Sequence, residues 1–196
     1  MELLPSLLST GWASGVNAYL TVVVLGLAGR AGVGEVPDQL SETPVLVIAG
    51  LMFAVEFVTD KVPYLDNAWD AIHTAIRPAI ASLIGVGYAD ADGLTGLDEA
   101  LAGGGSGALA LVSHAVKASL RLGINASPEP VSNILASLTE DGLVAAVTAF
   151  SLENPEIAAV IAVVLLIAGI VLVVVLWTRI RRAMGALLTR LGRPPP

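Results

Sequence analysis

A mean hydropathy of +0.80, a charged-residue content of only 14% in 196 residues, and several uncharged stretches close to membrane-crossing length predict an all-α, polytopic membrane helix bundle of about six spans. A soluble domain carries about 25% charged residues. The composition therefore excludes an ordinary soluble enzyme and a disordered chain. With no Cys in the sequence, thiol catalysis, Cys-ligated zinc and a disulfide scaffold are excluded as well.

Residues 11–29 hold no charged residue. Met1-Glu2-Leu3-Leu4-Pro5 lacks the basic start of a secretory signal, so this first segment is expected to stay as a span. Residues 44–61 are apolar until Glu56, and residues 66–88 begin polar and end apolar. Residues 103–122 open with three glycines and carry His114, Lys117 and Arg121 towards their end. Residues 131–150 are apolar apart from Glu140 and Asp141. Residues 157–177 are uncharged and end at Trp177, which suits the interfacial belt, just before Arg179, Arg181 and Arg182. Pro37, Pro44, Pro63, Gly93, Gly96, Pro128, Pro130 and Pro155 punctuate the connections.

Charge placement predicts an orientation with both termini inside. The connections 30–43, 89–102 and 151–156 hold many acidic residues but only one basic residue, Arg30. Lys61, Lys117, Arg121 and the C-terminal arginines all fall at the opposite helix ends, as the positive-inside rule requires of the cytoplasmic side. The domain division is a transmembrane domain at 1–182 and a cytoplasmic basic, Pro-rich tail at 183–196. Glu42-Thr43-Pro44 and Glu153-Asn154-Pro155 each precede a long span, which admits a 3+3 inverted repeat or simply shared helix-start chemistry.

Three polar stripes cross these apolar helices. Glu56 and Asp60 lie one turn apart at the end of the second span, and Pro63 forces a break. Asp66, Asp70, His73 and Arg77 follow at spacings of 4, 3 and 4, within an arc of roughly 60° on one helix face. Glu56, Asp60, Asp66 and Asp70 outnumber Lys61 and Arg77 by two charges. A bound cation, a cationic His or a protonated carboxyl must balance them. His114, Lys117 and Arg121 form a second, basic stripe. Asn133, Ser137 and Glu140 form a third, with Asp141 beside it. Each charge inside a membrane costs about 2.5–3.5 kcal/mol on insertion scales, so such groups face a bundle interior. Other readings stand beside this one. Lys61, Asp60 and Asp66 would also suit a wet interfacial cap, and Lys117 and Arg121 could snorkel to the inner surface. The fifth helix could break at Asp141-Gly142, or re-enter the membrane only at Leu143. Asn17, among small residues in the first span, suits helix packing or a hydrogen bond across the interface.

Taken together, Ser14-Gly15-Val16-Asn17-Ala18-Tyr19, Glu56-Phe57-Val58-Thr59-Asp60-Lys61-Val62-Pro63, Asp66 to Arg77-Pro78, His114 to Arg121, and Ser132-Asn133 to Glu140-Asp141 resemble the bacterial membrane family catalogued as domain of unknown function 4126. The likeness runs from about residue 11 to residue 182. It implies a small polytopic membrane protein of the bacterial inner membrane and supplies no catalytic residues.

The function expected from the residues is transport or channelling of a small solute or ion. The site would draw on Glu56, Asp60, Asp66, Asp70, His73, Arg77, His114, Lys117, Arg121, Asn133, Glu140 and Asp141. One alternative is a membrane-embedded, metal-dependent enzyme acting on a lipid or lipid phosphate. Asp70-x-x-His73, with His114 the only other His, would then hold a divalent cation, the one cofactor these residues suggest. A second alternative is a structural or accessory subunit. The expected partners are the lipid bilayer and the solute, with homo-oligomers also compatible. The acidic balance, with no basic patch interleaved with aromatics, argues against nucleic acid.

Overall fold

The computed structural model describes residues 3–126 and 130–190, and among these it is all helical, with no strand. Helix α1 spans Leu3–Ala31 and is followed by a short 3-10 turn at Asp38–Ser41. Helices α2 (Thr43–Thr59), α3 (Pro63–Ala91), α4 (Leu97–Asn125), α5 (Pro130–Ser151) and α6 (Pro155–Arg190) complete the chain. Most elements start earlier or end later than expected: α1 begins at Leu3, α4 at Leu97, and α6 continues past Arg182 to Arg190. Pro44, Pro63, Pro130 and Pro155 all sit in the first turn of a helix, where a missing backbone N–H costs nothing. Gly93 and Gly96, at φ of +73° and +66°, form the turn between α3 and α4. Pro128 and the Arg193–Pro196 end lie outside the described residues.

Three helices are long and apolar enough to cross a membrane: Leu3–Ala31, Val131–Ser151 and Pro155–Arg182. The shorter α2 is also apolar. Helices α3 and α4 are each 29 residues long, about 43 Å at 1.5 Å per residue, but their polar stripes dilute the apolar signal. The distribution of side chains is the reverse of a soluble protein. Val47, Ile48, Leu51 and Val58 of α2, and Val160, Val164, Ile167 and Val171 of α6, face outward and exposed. Arg77, Arg121, Glu56 and both histidines are among the largest fully buried side chains. An exposed apolar surface around an ionised interior is what a lipid solvent selects.

Helix α1 is the axle of the bundle and packs against each of the other five helices. Trp12, Val16 and Leu20 meet Val144, Val147 and Ala162, while Val22 and Leu25 meet Ala49, Ile84 and Tyr88. Small residues set the helix spacing. A Cβ at Gly15 would run into the Ala110 carbonyl and lie 2.6 Å from Ser113 Cβ. Nearby, Ser113 Oγ donates to the Trp12 carbonyl at 2.8 Å. The pairing of α3 with α4 is the most extensive in the fold. A Cβ at Gly107 would meet the Ser82 hydroxyl and lie 3.0 Å from the Pro78 carbonyl oxygen. The Gly-rich start of the fourth span is therefore, in part, a packing seam.

Candidate functional site

Helix α5 runs uninterrupted from Pro130 to Ser151, which removes the alternative of a break at Asp141-Gly142. The interruption is in α1, where Asn17 adopts φ −150° and ψ 96°. Its side-chain Oδ1 accepts from the Leu20 backbone N–H at 2.9 Å, the geometry of an N-cap for the second half of the helix. Leu20 would otherwise bond the Val16 carbonyl. With Leu20 capped, that carbonyl accepts from Lys117 Nζ at 3.1 Å. The Gly15 carbonyl faces Arg77 Nη1 at 3.4 Å. Asn17 Nδ2 donates to Asp141 Oδ1 at 3.0 Å. The kink thus turns an apolar helix into a wall of the polar interior, the only kind of place where a membrane protein tolerates free backbone groups.

The three stripes converge on this wall. Arg77 Nη2 pairs with Glu56 Oε1 at 2.7 Å and with Asp70 Oδ1 at 3.2 Å. Lys117 Nζ donates to Asp60 Oδ2 at 2.8 Å and lies 3.7 Å from Glu56 and 3.8 Å from Glu140. Arg121 donates to Asn133 Oδ1 and to the Asn133 and Asp60 carbonyls. Its charge also faces Asp60 at 3.4 Å, Asp66 at 3.7 Å and Glu140 at 3.2 Å. Asp66 Oδ2 accepts from Asn125 Nδ2 at 2.6 Å. Ser137 Oγ accepts from Lys61 Nζ at 3.3 Å. Ten of the twelve residues named from the sequence are joined by direct contacts, with His114 bonded to Arg77; Asp141 is held beside them by Asn17 and His73 by Tyr19. The wet-cap reading does not hold for Asp60 and Asp66, which are 2% and 0% exposed. Lys117 and Arg121 do not snorkel outward: both are buried. Lys61 is the one basic group that stays at the rim, half-buried over the Phe57 ring.

Hydrogen bonding assigns the histidines. Arg77 Nη1 can only donate, so His114 Nδ1, 2.6 Å away, accepts and carries no proton. His114 is thus neutral, with its Nε2–H facing the Asp70 carbonyl at 3.0 Å. His73 donates from Nδ1 to the Trp69 carbonyl at 2.7 Å, and its Nε2 meets the Tyr19 hydroxyl at 2.9 Å.

Charge is not balanced in this interior. Among the described residues, Glu56, Asp60, Asp66, Asp70, Glu140 and Asp141 outnumber the buried Arg77, Lys117 and Arg121 and the rim Lys61, an excess of two carboxylates. Glu56 Oε2, Asp60 Oδ1, Asp70 Oδ2 and Asp141 Oδ2 are buried without a hydrogen-bond partner. Uncompensated buried carboxylates are costly enough that they take up a proton or a cation. Among the described residues, no three His, Asp or Glu side chains converge as metal ligands. Carboxylate oxygens turn to Arg77, Lys117 and Arg121 instead, and Asp70-x-x-His73 is divided between a guanidinium and the Tyr19 hydroxyl.

Two clefts reach the cluster from different sides. One, about 610 Å³, lies between α1, α2 and α3, with Tyr19 on its wall and Gln39, Asp90 and Glu99 towards its loop end. The other, about 430 Å³, lies between α1, α4, α5 and α6 and reaches Lys117 and Glu140.

Apolar outer faces around a buried ionic cluster define this as a membrane-embedded helix-bundle protein. The chain belongs to the family described as Domain of unknown function (DUF4126), whose profile matches residues 4–175 and so covers every residue of the cluster. No curated protein and no solved structure matches the chain.

Sequence reasoning missed two members of the site. Tyr19 and Asn125 carry no periodic signal. Asn17 was legible as a residue able to hydrogen-bond across the interface, which it does to Asp141, but not as a kink.

Proposed function

We propose that the protein is a transporter of a small cation, proton or cation-bearing solute across a bacterial inner membrane, with both chain ends on the cytoplasmic side. The observation that supports this reading is the excess of two carboxylates over the cations of the cluster, rim Lys61 included, which calls for mobile positive charge. The cluster runs from Asp66 in the first turn of α3 to Arg77, eleven residues or about 16 Å further along the axis. Arg77, clamped between Glu56 and Asp70, serves as the fixed counter-charge. Glu56, Asp60, Asp70, Glu140 and Asp141 exchange protons or bind the transported cation. Tyr19 and His73 link the loop-side cleft to the cluster, because a hydroxyl and an imidazole in hydrogen-bond contact can hand a proton on. The even number of helices and the basic residues at one set of helix ends support the orientation.

The experiment is reconstitution in liposomes with an imposed proton or monovalent-cation gradient. The wild type is expected to carry a flux that Asp70→Asn and Glu140→Gln each reduce. A wild type without flux above empty liposomes sinks the reading. Flux that survives both substitutions unchanged sinks the assignment of the site.

A further inference from the structure

The cleft that reaches Lys117 and Glu140 opens sideways, towards the surface that would face acyl chains. Its walls are apolar: Val116 and Leu120 on α4, Leu135 and Leu143 on α5, Leu165 and Leu172 on α6. Leu135 and Leu172, at its rim, are 59% and 57% exposed. Helices α4 and α5 make little contact with each other, and the cleft lies between them, bordered by α6. A molecule entering here must be apolar over most of its surface.

The inner end selects its charge. Lys117 is buried, and its ammonium is drawn inward to Asp60 Oδ2 and the Val16 carbonyl. It has little left to offer an anion. Glu140 is the more accessible of the two, with 20% of its side chain exposed. Its Oε2 makes only ionic contacts, at 3.2 Å to Arg121 and 3.8 Å to Lys117, with no hydrogen bond. Both cations are shared with Asp60, and the surrounding cluster is acidic in sum. An arriving anion meets net repulsion, and an arriving cation meets a carboxylate with spare capacity.

We propose that this cleft binds a lipophilic cation, one positive charge on an apolar body, admitted from the membrane side with Glu140 as its counter-charge. The inference rests on the reading of the cluster as a binder of positive charge, and it names the substrate class. The apolar walls supply affinity by burying the body of the ligand, and the carboxylate supplies the choice of sign.

The test is equilibrium binding to the full chain in nanodiscs of neutral lipid, with tetraphenylphosphonium as the probe and the isosteric anion tetraphenylborate as its control. Saturable binding of the phosphonium, at least tenfold tighter than any saturable binding of the borate, is expected. Glu140→Gln is expected to weaken phosphonium binding at least tenfold. Ala168→Trp, which fills the cleft from α6 without touching a charge, is expected to weaken it as well and carries the test should Glu140→Gln not fold. Equal binding of the two ions overturns the inference, as does phosphonium binding unchanged in the folded variants. Binding is read without any gradient, so its failure is distinct from a failure of proton or monovalent-cation flux.

Discussion

Arg77 and Glu56 meet at 2.7 Å with no exposed surface on either side chain, in the middle of a bundle whose outside is aliphatic. Such a pair is expensive to bury and more expensive to halve. Arg77→Met leaves Glu56 and Asp70 facing each other without their guanidinium, and should destabilise the protein by about 3–5 kcal/mol. The double variant Glu56→Gln/Arg77→Met should recover part of that loss. Thermal unfolding in one detergent, analysed as a double-mutant cycle, reads the coupling. Additive losses would mean that the two side chains do not act as a pair.

Asn17 caps the second half of α1 and holds Asp141. Asn17→Ala removes both bonds and should cost about 1–3 kcal/mol. Asn17→Asp keeps the cap but sets a carboxylate against Asp141. Like charges in contact disfavour ionisation, so this variant should be destabilised at neutral pH and should recover, relative to wild type, as pH falls and one of the two is protonated. Melting temperatures across an acid-to-neutral series check the sign. A deficit that grows on acidification contradicts the arrangement.

His114 should show an unprotonated Nδ1 and a protonated Nε2 at neutral pH, because Arg77 donates to the former. Nitrogen-15 NMR of histidine-labelled protein reads this directly. Tyr19→Phe should change the His73 Nε2 resonance and leave that of His114 in place, since only His73 bonds the hydroxyl.

Gly15→Ala should destabilise by about 1–3 kcal/mol, the usual cost of overpacking, because the added methyl runs into the backbone of Ala110. Gly104→Ala meets nothing within 4 Å and should be neutral or slightly stabilising, since alanine is the better helix former. Equal effects at the two positions would contradict the close approach of α1 and α4.

The helical class and the polar stripes were legible because periodicity is a local property. Spacings of 3 and 4 put Asp66, Asp70, His73 and Arg77 on one face whatever lies opposite. The same rule grouped His114, Lys117 and Arg121, and Asn133, Ser137 and Glu140. Membrane cost argued that these faces turn inward. Helix ends were less legible: α4 and α1 extend beyond their apolar cores because hydropathy marks burial in lipid, while hydrogen bonding carries a helix further.

What the chain alone determined, then, was an apolar helical protein with ionisable residues confined to one face of each of several helices. Which face meets which was decided only in three dimensions. Nothing local says that Arg77 reaches back to Glu56, that Lys117 lies between Asp60 and Glu140, or that Tyr19 reaches His73 across the bundle. The clearest case is Asn17, whose kink depends on a capped amide of its own helix together with an aspartate 124 residues away. Periodicity fixes an angle about one helix axis; the rotation of each helix against its neighbours follows from packing small residues such as Gly15 against distant backbone, and that information is shared among segments.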